Sequence, residues 1–263
     1  MKRAVLILII CFFGCSINSG AAQEATVARG QTMLKHGAYS EAIAAFNALL
    51  QKNPKDPEAQ QGLVRALIET GEYAEAEKKI KDFLKDQPSG SPLRVMMAEV
   101  QAETGRYAEA ASEFDRARRE AKGALFLRAS LGRARALLAQ GKEEEASPVL
   151  QEFIGYYNRN SPDSAEELTL IARALVLLDK VKDANDLFID AREADQTYID
   201  ALIGQGELLN EKYNYEEAAT LFQDAFKINE NSPAAQVGLA ESLRLKSTTA
   251  PSAALDRALK VNP

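Results

Sequence analysis

The chain has 263 residues, 27 % of them charged and 7 % aromatic, with no tryptophan and a formal net charge of −6. An acidic balance is unsuited to a broad nucleic-acid surface, and so few aromatics argue for a solvated helical assembly rather than one large core. Cys11 and Cys15 are the only cysteines and both lie near the start, so the rest of the chain uses neither disulfide nor thiolate–metal chemistry.

Residues 1–22 read as a secretory signal. Met1, Lys2 and Arg3 make a basic start, Ala4 to Phe13 an apolar run too short to span a bilayer comfortably, and Ser16 to Ala22 a small, polar end. Losing Lys2 and Arg3 with this segment makes the remainder more acidic still. Two endings stay open. Cleavage after Ala22 would use Gly20 and Ala22 as the small residues a peptidase needs. Alternatively, Phe12-Phe13-Gly14-Cys15 is similar to the lipobox of bacterial lipoproteins, which implies lipidation at Cys15 and attachment to a membrane. The expected location is exported, in the periplasm or at the outer membrane surface.

From residue 23 onward the chain repeats. GAYSEA (Gly37 to Ala42), GEYAEA (Gly71 to Ala76) and GRYAEA (Gly105 to Ala110) recur every 34 residues, and that frame lays out seven units starting at Gln23, Pro57, Ser91, Leu127, Ala165, Ile199 and Pro233. The eighth position is small or slim throughout: Gly30, Val64, Ala98, Ala134, Ala172, Gly206 and Ala240. The twentieth is Ala42, Ala76, Ala110, Ala146, Ala184 and Ala218, which suits a close helix crossing, and four residues later stands a bulky knob: Phe46, Ile80, Phe114, Leu150, Phe188 and Phe222. Gly37, Gly71, Gly105 and Gly141 end first helices, because glycine enters the left-handed conformation without a Cβ clash, while Pro54 and Pro88 stop second helices. No stretch sustains a period of two, so no strand is expected.

These residues resemble the tetratricopeptide repeat, with its small residue at position eight, Gly-x-Tyr at the turn, Ala at twenty, aromatic at twenty-four and Pro at thirty-two. The resemblance implies an all-α, right-handed solenoid of about seven helix–turn–helix units across residues 23–263. Unit five has Asp179 and unit six Tyr213 where the turn glycine is usual, and unit seven needs a one-residue deletion before Leu255 and Ala258 fall into register.

Catalysis has little to work with, and neither cofactor nor metal is expected. The single histidine, His36, closes a first helix, where an imidazole suits the dipole. Gly204-Gln205-Gly206 lacks the third glycine of a dinucleotide fingerprint, and Glu143-Glu144-Glu145 opens a helix and offsets its positive end.

The resemblance further implies a concave groove lined by positions two, five, six, nine, twelve and thirteen of the first helices, made to bind a protein or peptide segment. Position nine reads Gln31, Arg65, Glu99, Arg135, Arg173, Glu207 and Glu241. With Arg128, the arginines Arg135 and Arg173 form an expected basic centre, flanked by Glu103, Glu207, Glu211 and Glu241, and suited to an acidic partner because guanidinium offers carboxylates a planar fork of donors. The opposite reading, arginines paired with neighbouring glutamates such as Glu99, stays open. The family's clamp for chaperone tails is not expected, since Val27, Gln31 and Gly62 occupy its Lys and Asn positions.

Two further places carry expectations. The stretch Gly155 to Pro162 reads as a loop whose Tyr156 and Tyr157 either anchor a partner or cover a helix end. Leu255 and Leu259, on a last unit with no polar capping helix after it, point to self-association, a partner or a further domain. Two functional classes follow: a non-catalytic scaffold or adaptor of the bacterial envelope, or the amino-terminal part of a larger secreted hydrolase.

Overall fold

The computed structural model describes residues 26–86, 90–246 and 252–262, so the expected signal segment, including Cys15, lies outside the described residues. Among those residues helices are the only regular secondary structure. Seven antiparallel pairs follow one another: α1 (Val27–Lys35) with α2 (Tyr39–Lys52), α3 (Pro57–Glu69) with α4 (Tyr73–Asp86), α5 (Ser91–Glu103) with α6 (Tyr107–Arg118), and α7 (Gly123–Leu138) with α8 (Glu143–Asn160). Then come α9 (Ala165–Leu177) with α10 (Val181–Ala194), α11 (Ile199–Glu211) with α12 (Tyr215–Ile228), and α13 (Pro233–Lys246) with α14 (Ser252–Val261).

One turn geometry joins the helices of the first six pairs. The N–H beyond the turn reaches back to a carbonyl five residues earlier, as in Ala38 to Met33, Glu72 to Leu67, Arg106 to Gln101 and Asn214 to Leu209, which is the Schellman closure. It requires a left-handed residue, supplied by glycine at Gly37, Gly71, Gly105 and Gly141, but by Asp179 (φ 54°) and Tyr213 (φ 65°) in units five and six. A side chain in that conformation costs about 1–2 kcal/mol, so neighbouring packing, not local preference, imposes those two turns.

The expected small positions and knobs are buried. Ala42, Ala76, Ala110, Ala146, Ala184 and Ala218 are fully covered, and all six knobs are 3 % exposed or less. The structure adds where the knobs go. A Cβ on Gly62, Gly132, Gly204 or Gly238 would collide with the ring of Phe46, Phe114, Phe188 or Phe222 respectively. Each aromatic knob therefore seats on a glycine at position six of the following first helix. Where the knob is the smaller Ile80 or Leu150, position six is Met96 or Leu170. Knob and seat exchange volume from joint to joint, and position six serves packing where the groove pattern had it facing a ligand.

The stretch Gly155 to Asn160 is helix, not loop, because α8 runs on to Asn160 and closes on a left-handed Ser161 (φ 45°). Tyr156 stacks on Phe126 and donates its hydroxyl to Glu167, so this tyrosine covers α7 and α9. Of the two readings of the tyrosine pair, covering describes Tyr156; Tyr157 remains 38 % exposed.

The superhelix comes round to meet itself. Lys35 Nζ donates to Thr197 Oγ1 (2.7 Å), His36 Nδ1 lies 3.1 Å from the Ile228 carbonyl oxygen, and Asn231 Nδ2 donates to the Gly37 carbonyl (3.1 Å). Asn229 Nδ2 donates to Tyr39 Oη and Asn262 Nδ2 to Tyr73 Oη, both at 3.0 Å. Units one and two are thus joined to units five, six and seven by a polar seam that the sequence pattern did not disclose, and His36 is part of it.

Candidate interaction site

Closure turns the expected groove into a lumen. One cavity of about 640 Å³ takes wall residues from all seven units, among them Lys35, Glu69, Glu103, Arg135, Glu166, Asp200, Pro233 and Asn262. A second, of about 510 Å³, shares Glu99, Glu103, Arg128, Arg135, Tyr198 and Asp200 with it and adds Arg173. The first helices present these side chains because their other faces are held by the knobs.

Most of the expected basic centre is neutralised by neighbouring units. Glu99 lies 2.9 Å from Arg65 and 3.8 Å from Arg128, Arg128 also meets Glu166 at 2.8 Å, and Arg173 meets Glu207 at 3.0 Å. Burial works against the charge on Arg128, but Glu99 and Glu166 outweigh it and hold the group protonated. Pairing across units therefore describes Arg65, Arg128 and Arg173.

Arg135 differs. It makes no hydrogen bond or ion pair among the described residues, although its side chain is open to the lumen. Burial between the walls, then repulsion from Arg173, push its pKa down to about 10, with only Glu207 acting the other way. At neutral pH it remains charged, and its charge is uncompensated. Two carboxylates on the same cavity are likewise unpaired. Burial, then Asp200 and Glu99 against partial relief from Arg65 and Arg128, raises Glu69; burial, then Glu99, raises Glu103.

Of the other expected residues, Glu211 bonds Lys212 (2.8 Å) and is absent from the walls of both cavities. Glu207 is half exposed on its pair with Arg173. The sequence pattern contained but did not single out Glu69, at the same thirteenth position as Glu103, nor Glu166 and Asp200, at the same second position as Arg128. Tyr198 precedes its unit and had no signal; burial, then Asp200 and Glu166, hold its hydroxyl protonated. Among the described residues, no group of acidic, histidine or cysteine side chains is arranged to hold a metal, and no helix is long and apolar enough to cross a membrane.

Two tetratricopeptide repeat family profiles match the sequence, over residues 33–91 and 95–165. The chain belongs to the tetratricopeptide repeat family. A crystal structure of a tetratricopeptide repeat protein from Parabacteroides merdae is similar over 82 % of this chain and 82 % of that one, at 18 % identity and a TM-score of 0.57. The Cut9–Hcn1 hetero-tetramer of the APC/C is similar over 89 % of this chain and 48 % of that one, at 15 % identity and a TM-score of 0.55. At such identities the likeness is one of fold. No curated protein matches the sequence. The all-α solenoid reading holds, and the repeat is that of a protein-interaction scaffold.

Proposed function

We propose that this tetratricopeptide repeat protein is a non-catalytic scaffold that holds a segment of a partner protein in its lumen, with an acidic group of that segment against Arg135. The observation that carries this is the single uncompensated guanidinium on a wall where three other arginines are paired. A carboxylate there would gain a charge-assisted, two-pronged hydrogen bond and relieve the Arg135–Arg173 repulsion. Glu69 and Glu103, unpaired on the same cavity, favour donor or cationic groups elsewhere in that segment.

The test is a random peptide array probed with the wild-type chain and with Arg135→Glu. Bound peptides should be enriched in Asp and Glu, and the variant should lose that enrichment, whereas Arg65→Glu at a paired position should change it less. Identical enrichment in wild type and Arg135→Glu would overturn the assignment. The reading places the scaffold in the bacterial envelope, exported by residues 1–22 and lipid-anchored if Cys15 becomes the first residue. Mass spectrometry of the mature amino terminus separates a lipidated Cys15 from an unmodified Gln23.

A further inference from the structure

The two tyrosine contacts at the seam are one contact repeated. Each joins a Tyr at position seventeen to an Asn at the end of the second helix five units later: Tyr39 with Asn229, and Tyr73 with Asn262. The same rule pairs unit three with an eighth unit. Unit three holds its half open. Gly105 (φ 76°) has the conformation of Gly37 (75°) and Gly71 (74°), but where their Cβ positions meet Asn229 and Asn262, that of Gly105 meets nothing within 4 Å. Tyr107 is 39 % exposed where Tyr39 is 6 % exposed.

The matching half lies on the same chain. Asn53, at that helix end in unit one, has φ −136° and ψ 90°, against −141° and 95° for Asn229. Its side-chain oxygen accepts the Lys55 amide and its carbonyl the Asp56 amide, as those of Asn229 accept from Asn231 and Ser232. Its side-chain amide donates to nothing among the described residues. Asn53 is therefore set as Asn229 is, without a tyrosine.

An independent feature marks the same assembly. Leu255 stands in the knob position of unit seven and is 40 % exposed, with Leu259 beyond it at 60 %, whereas every other knob is covered by the next first helix. Where a knob in this chain is aliphatic, position six of the next unit is Met96 or Leu170 rather than glycine, and position six of unit one is Ala28, which is exposed. We propose that the chain associates head to tail, unit one of a second copy stacking on unit seven and its Asn53 amide reaching Tyr107 Oη. Such a contact is heterologous and non-closing, so it extends into open oligomers whose lumens run on from copy to copy. Arg29 and Thr32 of unit one stand where units two and three have Leu63 and Ala66, or Met97 and Val100, so this joint is more polar than those within the chain and its assembly is reversible.

The test uses full-length chains with Cys11 and Cys15 changed to Ser, one carrying Asn53→Cys and one Tyr107→Cys, treated with a short bismaleimide. A mixture should give a crosslinked heterodimer, each variant alone none, and the double variant a ladder, while the wild-type mass in sedimentation equilibrium should rise with concentration. Leu259→Asp, at an exposed position that leaves the helical circular dichroism unchanged, should abolish both signals. A wild-type chain that stays monomeric at high concentration, crosslinks between two Asn53→Cys chains, or crosslinks that survive Leu259→Asp would overturn the proposal.

Discussion

The joints between successive units and the seam between the first and last units close the same superhelix by opposite means. Each joint buries a knob of one unit against the following first helix, with sequence separation of about half a repeat and no polar partner. The seam instead brings together residues 162 to 192 positions apart through hydrogen bonds of Asn, Tyr, Lys and His to side chains and carbonyls. Apolar burial scales with area and supplies most of the stability, whereas a hydrogen bond exchanged with water contributes about 0.5–1.5 kcal/mol net. The joints thus set whether the chain folds, and the seam sets how tightly the lumen is enclosed.

The largest effect should come from emptying a joint. Phe222 lies against Gly206 and Gly238, and Phe222→Ala should cost about 3–5 kcal/mol in chemical denaturation. Overfilling a joint comes next. Gly132→Val should cost about 1–3 kcal/mol because its side chain meets the Phe114 ring. Phe114→Leu should recover part of that loss in a double-mutant cycle, and strict additivity would refute the exchange of volume between knob and seat.

At the seam, Asn229→Ala leaves the buried Tyr39 hydroxyl without its donor and should cost about 1–3 kcal/mol. Amide exchange should quicken around Gly37 and Asn231 and stay unchanged in units three and four. In the lumen, the folded state raises the pKa of Glu69, so the native chain keeps that proton to higher pH than the unfolded one, and the destabilisation appears as pH rises above about 4.5. Glu69→Gln should therefore raise the melting temperature at neutral pH and have little effect at about pH 4. The smallest effect belongs to a surface pair between joints. Arg106 and Lys81, by hydrogen bonding to Glu77, hold its carboxyl down at about 2, so this stabilisation is present above about pH 4.5 and is lost as pH falls toward 2. Arg106→Ala should cost about 0.2–1 kcal/mol at neutral pH and less in acid.

The joints were legible in the sequence because their requirements are local and recur: a small residue, a knob and a turn glycine at fixed offsets. The turns at Asp179 and Tyr213 could be recognised as departures, but the left-handed conformation they adopt is imposed by their neighbours. The seam was illegible for the converse reason. Asn229 and Tyr39 each look like ordinary turn residues, and only the curvature accumulated over five units brings them together. The lumen was legible in part. The resemblance to the tetratricopeptide repeat supplied the positions that face inward, and with them Arg65, Arg128, Arg135 and Arg173. Each paired arginine meets a glutamate at the same position of the next unit, Arg65 with Glu99, Arg128 with Glu166 and Arg173 with Glu207, whereas the next unit presents Arg173 to Arg135.

Closure of the seam is the claim on which the lumen rests, and spin-label distances test it most directly. Labels go on exposed positions in chains whose Cys11 and Cys15 are Ser, as the pairs Ser40 with Glu230 and Ser40 with Lys142. Around a closed turn, unit four lies across from unit one and unit six returns to it. The 40–230 distance should then be the shorter and narrower of the two, although its sequence separation is nearly twice as large. A 40–230 distance longer than the 40–142 distance would mean an open array with no enclosed lumen.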